Sequence, residues 1–171
     1  MSRNVLALEK FRTDFGNIEL SAVRLKDSIN ACFDDFEVIS KEKGVKLECK
    51  CNGDYEVLAN KLAFESHVLA NLISNAIKYS PENSTVKVTT IADEKYIEVI
   101  VADEGAGVPL SQVDKLFTKQ KVKSKLGTKA EIGSGVGLSM VKMFMDSFKG
   151  EVFYRESSAA AVFVLRLKRF T

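Results

Sequence analysis

The segment from Tyr96 to Asp103, Y-I-E-V-I-V-A-D, constrains this chain more than any other, because Ile97, Val99, Ile100 and Val101 are interrupted only by Glu98. A short run so dense in β-branched residues predicts a strand covered on both faces. It ends directly in D-E-G-A-G, which puts Asp103, Gly105 and Gly107 at the end of the most buried strand. There a carboxylate can accept a hydrogen bond from an exocyclic amine, and two glycines let the backbone approach a flat ring. A turn with a solvated aspartate fits the same residues.

The elements around that strand are marked by their periodicity. E-L-S-A-V-R-L reads as a strand, and residues 27–43 as a helix burying Ile29, Cys32, Phe33, Phe36 and Ile39, closed by Gly44. Val45–Cys51 alternates as a strand with Val45, Leu47, Cys49 and Cys51 on one face, and Asn52-Gly53 predicts a hairpin into Y-E-V-L-A. A helix over about 61–79, the strand T-V-K-V-T-T-I-A, a short helix after Pro109, a loop from Thr118 to Ile132 and a helix over about 136–148 follow, the last carrying Leu138, Val141, Met145 and Phe148. E-V-F-Y-R and A-A-V-F-V-L-R-L are the final strands. Strands gathered with three main helices predict an α+β two-layer sandwich, an open mixed sheet with helices on one face.

Twenty-five basic against twenty-three acidic residues leave a net charge of +2, so no global field argues for nucleic acid or an anionic membrane. The 171 residues suit one domain, without an apolar run long enough for a membrane span or a signal peptide. Three cysteines cannot all pair, and they read as small core residues in a reducing compartment.

Within the helix over 61–79, N-L-I-S-N-A-I-K-Y-S places Asn71 and Asn75 one turn apart on the edge of an apolar face, with Lys78 continuing their line. At about 100° per residue, Asn75 lies roughly 40° from Asn71 on one side and Lys78 roughly 20° on the other. Such a stripe faces either water or something that wants oxygen and ammonium ligands.

Farther on, Gly133, Gly135 and Gly137 open a helix whose free amides make a phosphate site. The spacing matches neither G-x-G-x-x-G nor G-x-x-x-x-G-K-[ST]. Between the glycine clusters lie Lys119, Lys121, Lys123, Lys125 and Lys129. That segment is either a solvated loop or a lid over polyphosphate, ordered by the counter-charge it meets.

These four pieces, in this order, resemble the N, G1, F and G2 boxes of the catalytic ATP-binding domain of sensor histidine kinases, in the GHKL superfamily. The resemblance spans roughly residues 19–169 and implies a Bergerat-type ATP-binding fold. It implies Asn75 as the principal Mg²⁺ ligand, Asn71 beside it on the metal and phosphate side, and Lys78 on a phosphate. By the same resemblance Tyr79 lines the nucleotide pocket, Asp103 reads the adenine amino group, Gly105 and Gly107 pack near the base, and Phe117 is the F-box aromatic. Gly133, Gly135, Gly137 and Leu138 match the phosphate-cradling turn, with Ser134 and Val136 where Thr and Leu are commoner. ATP and Mg²⁺ are the implied cofactors. The implied partners are a dimerising histidine phosphotransfer domain of the same parent protein, expected to be a homodimer in the cytoplasm, and a response regulator receiver domain.

In superfamily members that hydrolyse ATP or phosphorylate serine, the position of Asn71 is typically a glutamate, which removes a proton from water or a hydroxyl. An amide cannot do this, whereas a neutral imidazole attacks phosphorus with a lone pair it already has. The substitution favours transfer to histidine over hydrolysis or serine phosphorylation, and the intact boxes weigh against a degenerate module that binds without transfer. The single histidine, His67, lies inside the same helix and is not followed by an acidic residue, so it is expected to be a polar residue near the pocket rim. Residues 1–16 then read as the end of an upstream dimerisation helix or linker, and 17–171 as the catalytic domain.

Overall fold

The computed structural model describes Thr13 and residues 18–118, 137–158 and 160–171. Five strands form one sheet in the order β2-β4-β5-β7-β6: β2 (Lys46–Lys50), β4 (Thr85–Ala92), β5 (Tyr96–Asp103), β6 (Glu151–Arg155) and β7 (Ala161–Lys168). β2 runs parallel to β4 and every other pair is antiparallel, so the sheet is mixed, as expected. β1 (Ser21–Arg24) and β3 (Glu56–Ala59) form a separate antiparallel pair, joined to the end of β7 by a bridge between Val57 and Arg169.

The central strand β5 alternates more strictly than its sequence suggests. Ile97, Val99, Val101 and Asp103 are buried, while Tyr96, Glu98, Ile100 and Ala102 are only half-buried. One face is therefore sealed and the other is partly covered by its own side chains. Arg155 reaches Glu98 at 3.1 Å, and the Arg166 guanidinium lies 4.5 Å from the centre of the Tyr96 ring.

The sealed face meets the helices α1 (Leu25–Lys43), α3 (Ala70–Tyr79) and α5 (Gly137–Ser147) in one apolar cluster in which Phe64, Phe144 and Phe148 are fully buried, while the short helix expected after Pro109 is α4 (Leu110–Val113). Burial of these rings is the principal stabilisation of the layer contact, since each removes a large apolar area from water. α1 ends as predicted at Gly44, whose φ of 72° lets its N–H reach Lys41 O while Val45 N reaches Ser40 O. Ile39 is 54% exposed, against expectation, whereas Ser40 and Lys43 are buried. Three turns of helix take about 10.8 residues, so the buried stripe that begins at Ile29 returns at residue 40 and passes 39 by.

Asn52-Gly53 does not make a hairpin: β2 pairs with β4 and β3 with β1. A two-residue I′ turn needs positive φ at both central residues, and only Gly53, at 103°, has it. Tyr55 packs 3.0 Å from where a Gly53 side chain would begin, and the chain bends away to the second sheet. Cys32 is buried and Cys49 and Cys51 are half-buried against the core, all three as free thiols.

Candidate functional site

The helix expected over 61–79 forms in three pieces: α2 (Lys61–Ala63), a π-helical stretch (Phe64–Leu69) and α3. Asn60 starts it, its Oδ1 accepting the Ala63 N–H at 3.0 Å. The wider turns immediately precede the polar stripe and change the angular position of everything after them, a device that recurs beside functional sites. On α3 the residues Leu72, Ile73, Ala76 and Ile77 are buried, and Asn71, Asn75, Lys78 and Tyr79 are half-buried along one side. The stripe read from the sequence is present on the fold.

Asn71 is held in a fixed orientation. Its Nδ2 donates to His67 O one turn back, and its Oδ1 points at the start of α5, 2.6 Å from where a Gly137 Cβ would lie. Gly137 is thus glycine because the asparagine oxygen occupies the space of its side chain. Leu138, next in α5, is half-buried against the core. The Lys78 ammonium stands 5.0 Å above the Tyr79 ring.

The end of β5 completes the group. Asp103 is 4% exposed, and its Oδ1 accepts the Gly105 N–H at 2.7 Å. Burial pushes its carboxyl up to about 6, opposed by that hydrogen bond. A Cβ on Gly105 would lie 2.6 Å from Tyr79 O and 2.7 Å from Asp103 Oδ1, so the two segments meet here without room for a methyl group. Gly105→Ala should therefore separate β5 from the end of α3, since backbone must move to admit it, and, on the expectation that the base packs near Gly105, should weaken ADP binding by about tenfold or more. Calorimetric titration with ADP tests this, and native affinity in that variant would contradict it.

Two features escaped the sequence reading. Tyr154 on β6 accepts the Val108 N–H at 3.1 Å through its hydroxyl, which also lies 2.9 Å from the position of a Gly107 Cβ. Its ring packs on Phe163, 5.3 Å between centroids, and Phe163 in turn packs on Phe117 at 6.3 Å, so the expected F-box aromatic is anchored to the same cluster. The one signal in the sequence is the polar tip of a tyrosine next to Val152 and Phe153 in this strand. The second is Lys43, considered below.

His67 stacks on Phe144 at 4.8 Å with 4° between the rings, and burial lowers its pKa below the usual imidazole value. It packs against α5 as part of the helix layer. Gly133, Gly135 and the lysine-rich segment over 119–132 lie outside the described residues. Among the described residues no three His, Cys, Asp or Glu side chains converge as a metal cage. Amide oxygens on one helix stripe fit a hard cation held mainly by phosphates, not one held by protein alone.

A five-stranded mixed sheet backed by helices, in which Gly105 lets the end of β5 and Gly137 lets the start of α5 approach α3 closely, defines a two-layer α+β domain. Residues 62–170 match the family described as histidine kinase-, DNA gyrase B- and HSP90-like ATPase, and the chain belongs to that family. It is 27% identical over 168 residues to the sensor histidine kinase HprS of Escherichia coli K12, covering 98% of this chain and 36% of that protein. It is 30% identical over 155 residues to the sensor histidine kinase CusS of the same strain, covering 87% of this chain and 31% of that one. The chain spans about a third of the length of these relatives. Its fold is that of the catalytic domain of histidine kinase ThkA, with a TM-score of 0.78 at 23% identity over 89% of this chain and 97% of that one.

Proposed function

We propose that this chain is the catalytic domain of a sensor histidine kinase, binding Mg·ATP and transferring the γ-phosphoryl group to a histidine on a separate dimerisation domain. The observation that carries the reading is Asn71. One turn before Asn75, where proton abstraction would need a carboxylate, stands an amide tied to His67 O with its oxygen facing Gly137.

In this reading the adenine amino group donates to Asp103, and Gly105 and Gly107 admit the ring beside Tyr79. Asn75 and Asn71 would hold magnesium, which neutralises phosphate charge when bound. Lys78 contacts a phosphate, and Gly133, Gly135 and Gly137 are the residues this reading assigns to the others. The acceptor imidazole attacks the γ-phosphorus with its lone pair, the bond to the bridging oxygen breaks, and ADP leaves with the electron pair. The work of the chain is positioning and charge stabilisation, not proton removal. Three free thiols suit a cytoplasmic setting. A response regulator is the expected onward partner, in keeping with the structural likeness to ThkA in its complex with the response regulator TrrA, TM-score 0.74 at 20% identity.

Radiolabelled ATP, offered to the chain with a purified dimerisation hairpin carrying the acceptor histidine, tests the proposal. Label should pass to the hairpin in an acid-labile form, while hydrolysis by the chain alone stays slow. Rapid hydrolysis without transfer would overturn it.

A further inference from the structure

Among the described residues only two charged side chains are buried, Asp103 and Lys43. Asp103 already belongs to the site described above. Lys43 is the last residue of α1, 6% exposed, and reaches 34 and 35 positions along the chain to the end of α3. Its Nζ donates to Ile77 O at 2.9 Å and to Lys78 O at 2.6 Å.

A helix leaves its last carbonyls without intrahelical partners, and its C-terminus carries partial negative charge. In α3 these carbonyls are accounted for one by one. Ala76 O accepts the Ser80 N–H at 3.1 Å and the Ser80 hydroxyl at 2.6 Å. Ile77 O and Lys78 O accept from Lys43. Tyr79 O lies against Gly105. One ammonium therefore fixes the two peptide groups from which the Lys78 and Tyr79 side chains project, and places a cation at the negative end of the helix.

We propose that Lys43 is a positioning residue for the nucleotide site: it locks the last turn of α3 so that Lys78 is aimed at the phosphates, and thereby couples α1 to that site. This rests on the reading of Lys78 as a phosphate contact. Asp103 and Gly105 are held by β5 and by their own hydrogen bond, without Lys43. Tyr79 projects from the same turn but is also backed by Gly105, so loss of the lysine should be felt much more through phosphate than through adenine.

The test is a double-mutant cycle on this chain, titrating a non-hydrolysable ATP analogue with magnesium, and adenosine separately, into the native protein, Lys43→Met, Lys78→Ala and the double variant. Lys43→Met should bind the triphosphate about tenfold more weakly, the scale of losing hydrogen bonds from a charged donor, with adenosine changed by no more than about threefold. In the Lys78→Ala background the same substitution should cost almost nothing further. Lys43→Arg, which keeps the charge and donors, should restore most of the loss. Lys43→Gln, which keeps one donor, replaces methionine if that variant does not fold, with the same split at smaller size. Fully additive losses, or equal losses for adenosine and triphosphate, would show that Lys43 merely supports the fold and would overturn the proposal. Native triphosphate affinity in Lys78→Ala would instead overturn the phosphate role of Lys78, and this inference with it.

Discussion

Asn75→Ala should reduce phosphoryl transfer to a supplied histidine hairpin by about two orders of magnitude or more, with adenosine binding left near native. The size follows from what the amide does in this reading: it offers an oxygen to the cation that neutralises the transferring phosphoryl, and removing one such preorganised group costs about 100- to 1000-fold in comparable sites. Asn75 is half-buried, on the polar side of α3, and the neighbouring Leu72, Ile73, Ala76 and Ile77 are the residues that hold the helix in the core. Truncation there removes a ligand without opening a cavity in the core, and alanine is a better helix former than asparagine. Thermal melting should accordingly show the variant as stable as the native chain. The comparison between magnesium-containing and magnesium-free titrations with ATP locates the defect, because the native protein should gain affinity from magnesium and the variant should not. Transfer at native rate, or a variant that still gains from magnesium, would remove Asn75 from the metal site.

What was legible in the sequence was whatever depends on local periodicity. The stripe of Asn71, Asn75 and Lys78 follows from helical geometry alone, and the burial of Ile97, Val99 and Val101 follows from their side chains. The alternation of Val45, Leu47, Cys49 and Cys51 is set the same way, by the pleat of a strand. The errors arose where the outcome depends on partners distant in sequence. Asn52-Gly53 is a hairpin signal only if the flanking strands pair with each other, and here β2 found β4 while β3 found β1. Ile100 reads as buried on composition, but among the described residues its face of the sheet meets no helix layer and carries half-buried side chains such as Phe153.

The site shows the same division. Asn71 could be picked out by its place in a motif, yet the reason its amide has one orientation is the carbonyl of His67 and the missing side chain of Gly137, 66 positions later. Tyr154 and Lys43 carry no motif at all. Each acts through a single polar group near the end of its element, and the tertiary fold alone decides which backbone groups that polar tip meets.

Asp103→Asn should move stability and binding in opposite directions. The carboxyl of Asp103 is buried, and its pKa is raised from an ordinary 3.8 to about 6. The folded chain then holds a proton that the unfolded chain has already released, so stability falls as pH rises from about 3.8 to about 6 and stays lower above that window. A shift of that size corresponds to roughly 1–3 kcal/mol carried by the empty domain at neutral pH. Asparagine keeps an oxygen to accept the Gly105 N–H and has no charge to bury, so the variant should unfold at higher denaturant or temperature than native at pH 7.5, with the difference vanishing near pH 4. ADP affinity should fall by about 10- to 100-fold at pH 7.5, because in the proposed reading Asp103 accepts from the adenine amine and the variant takes away its charge. Native ADP affinity should itself decline as pH drops through about 6, where the carboxylate takes up its proton, and the Asn variant should lack that decline. Paired melting and titration series across pH 4 to 8 read both effects. A variant less stable than native at pH 7.5, or one that binds ADP as tightly, would mean that the buried carboxylate is there for the fold. The expected result instead makes Asp103 a residue kept at a cost to the empty domain, because binding needs the charge that folding disfavours.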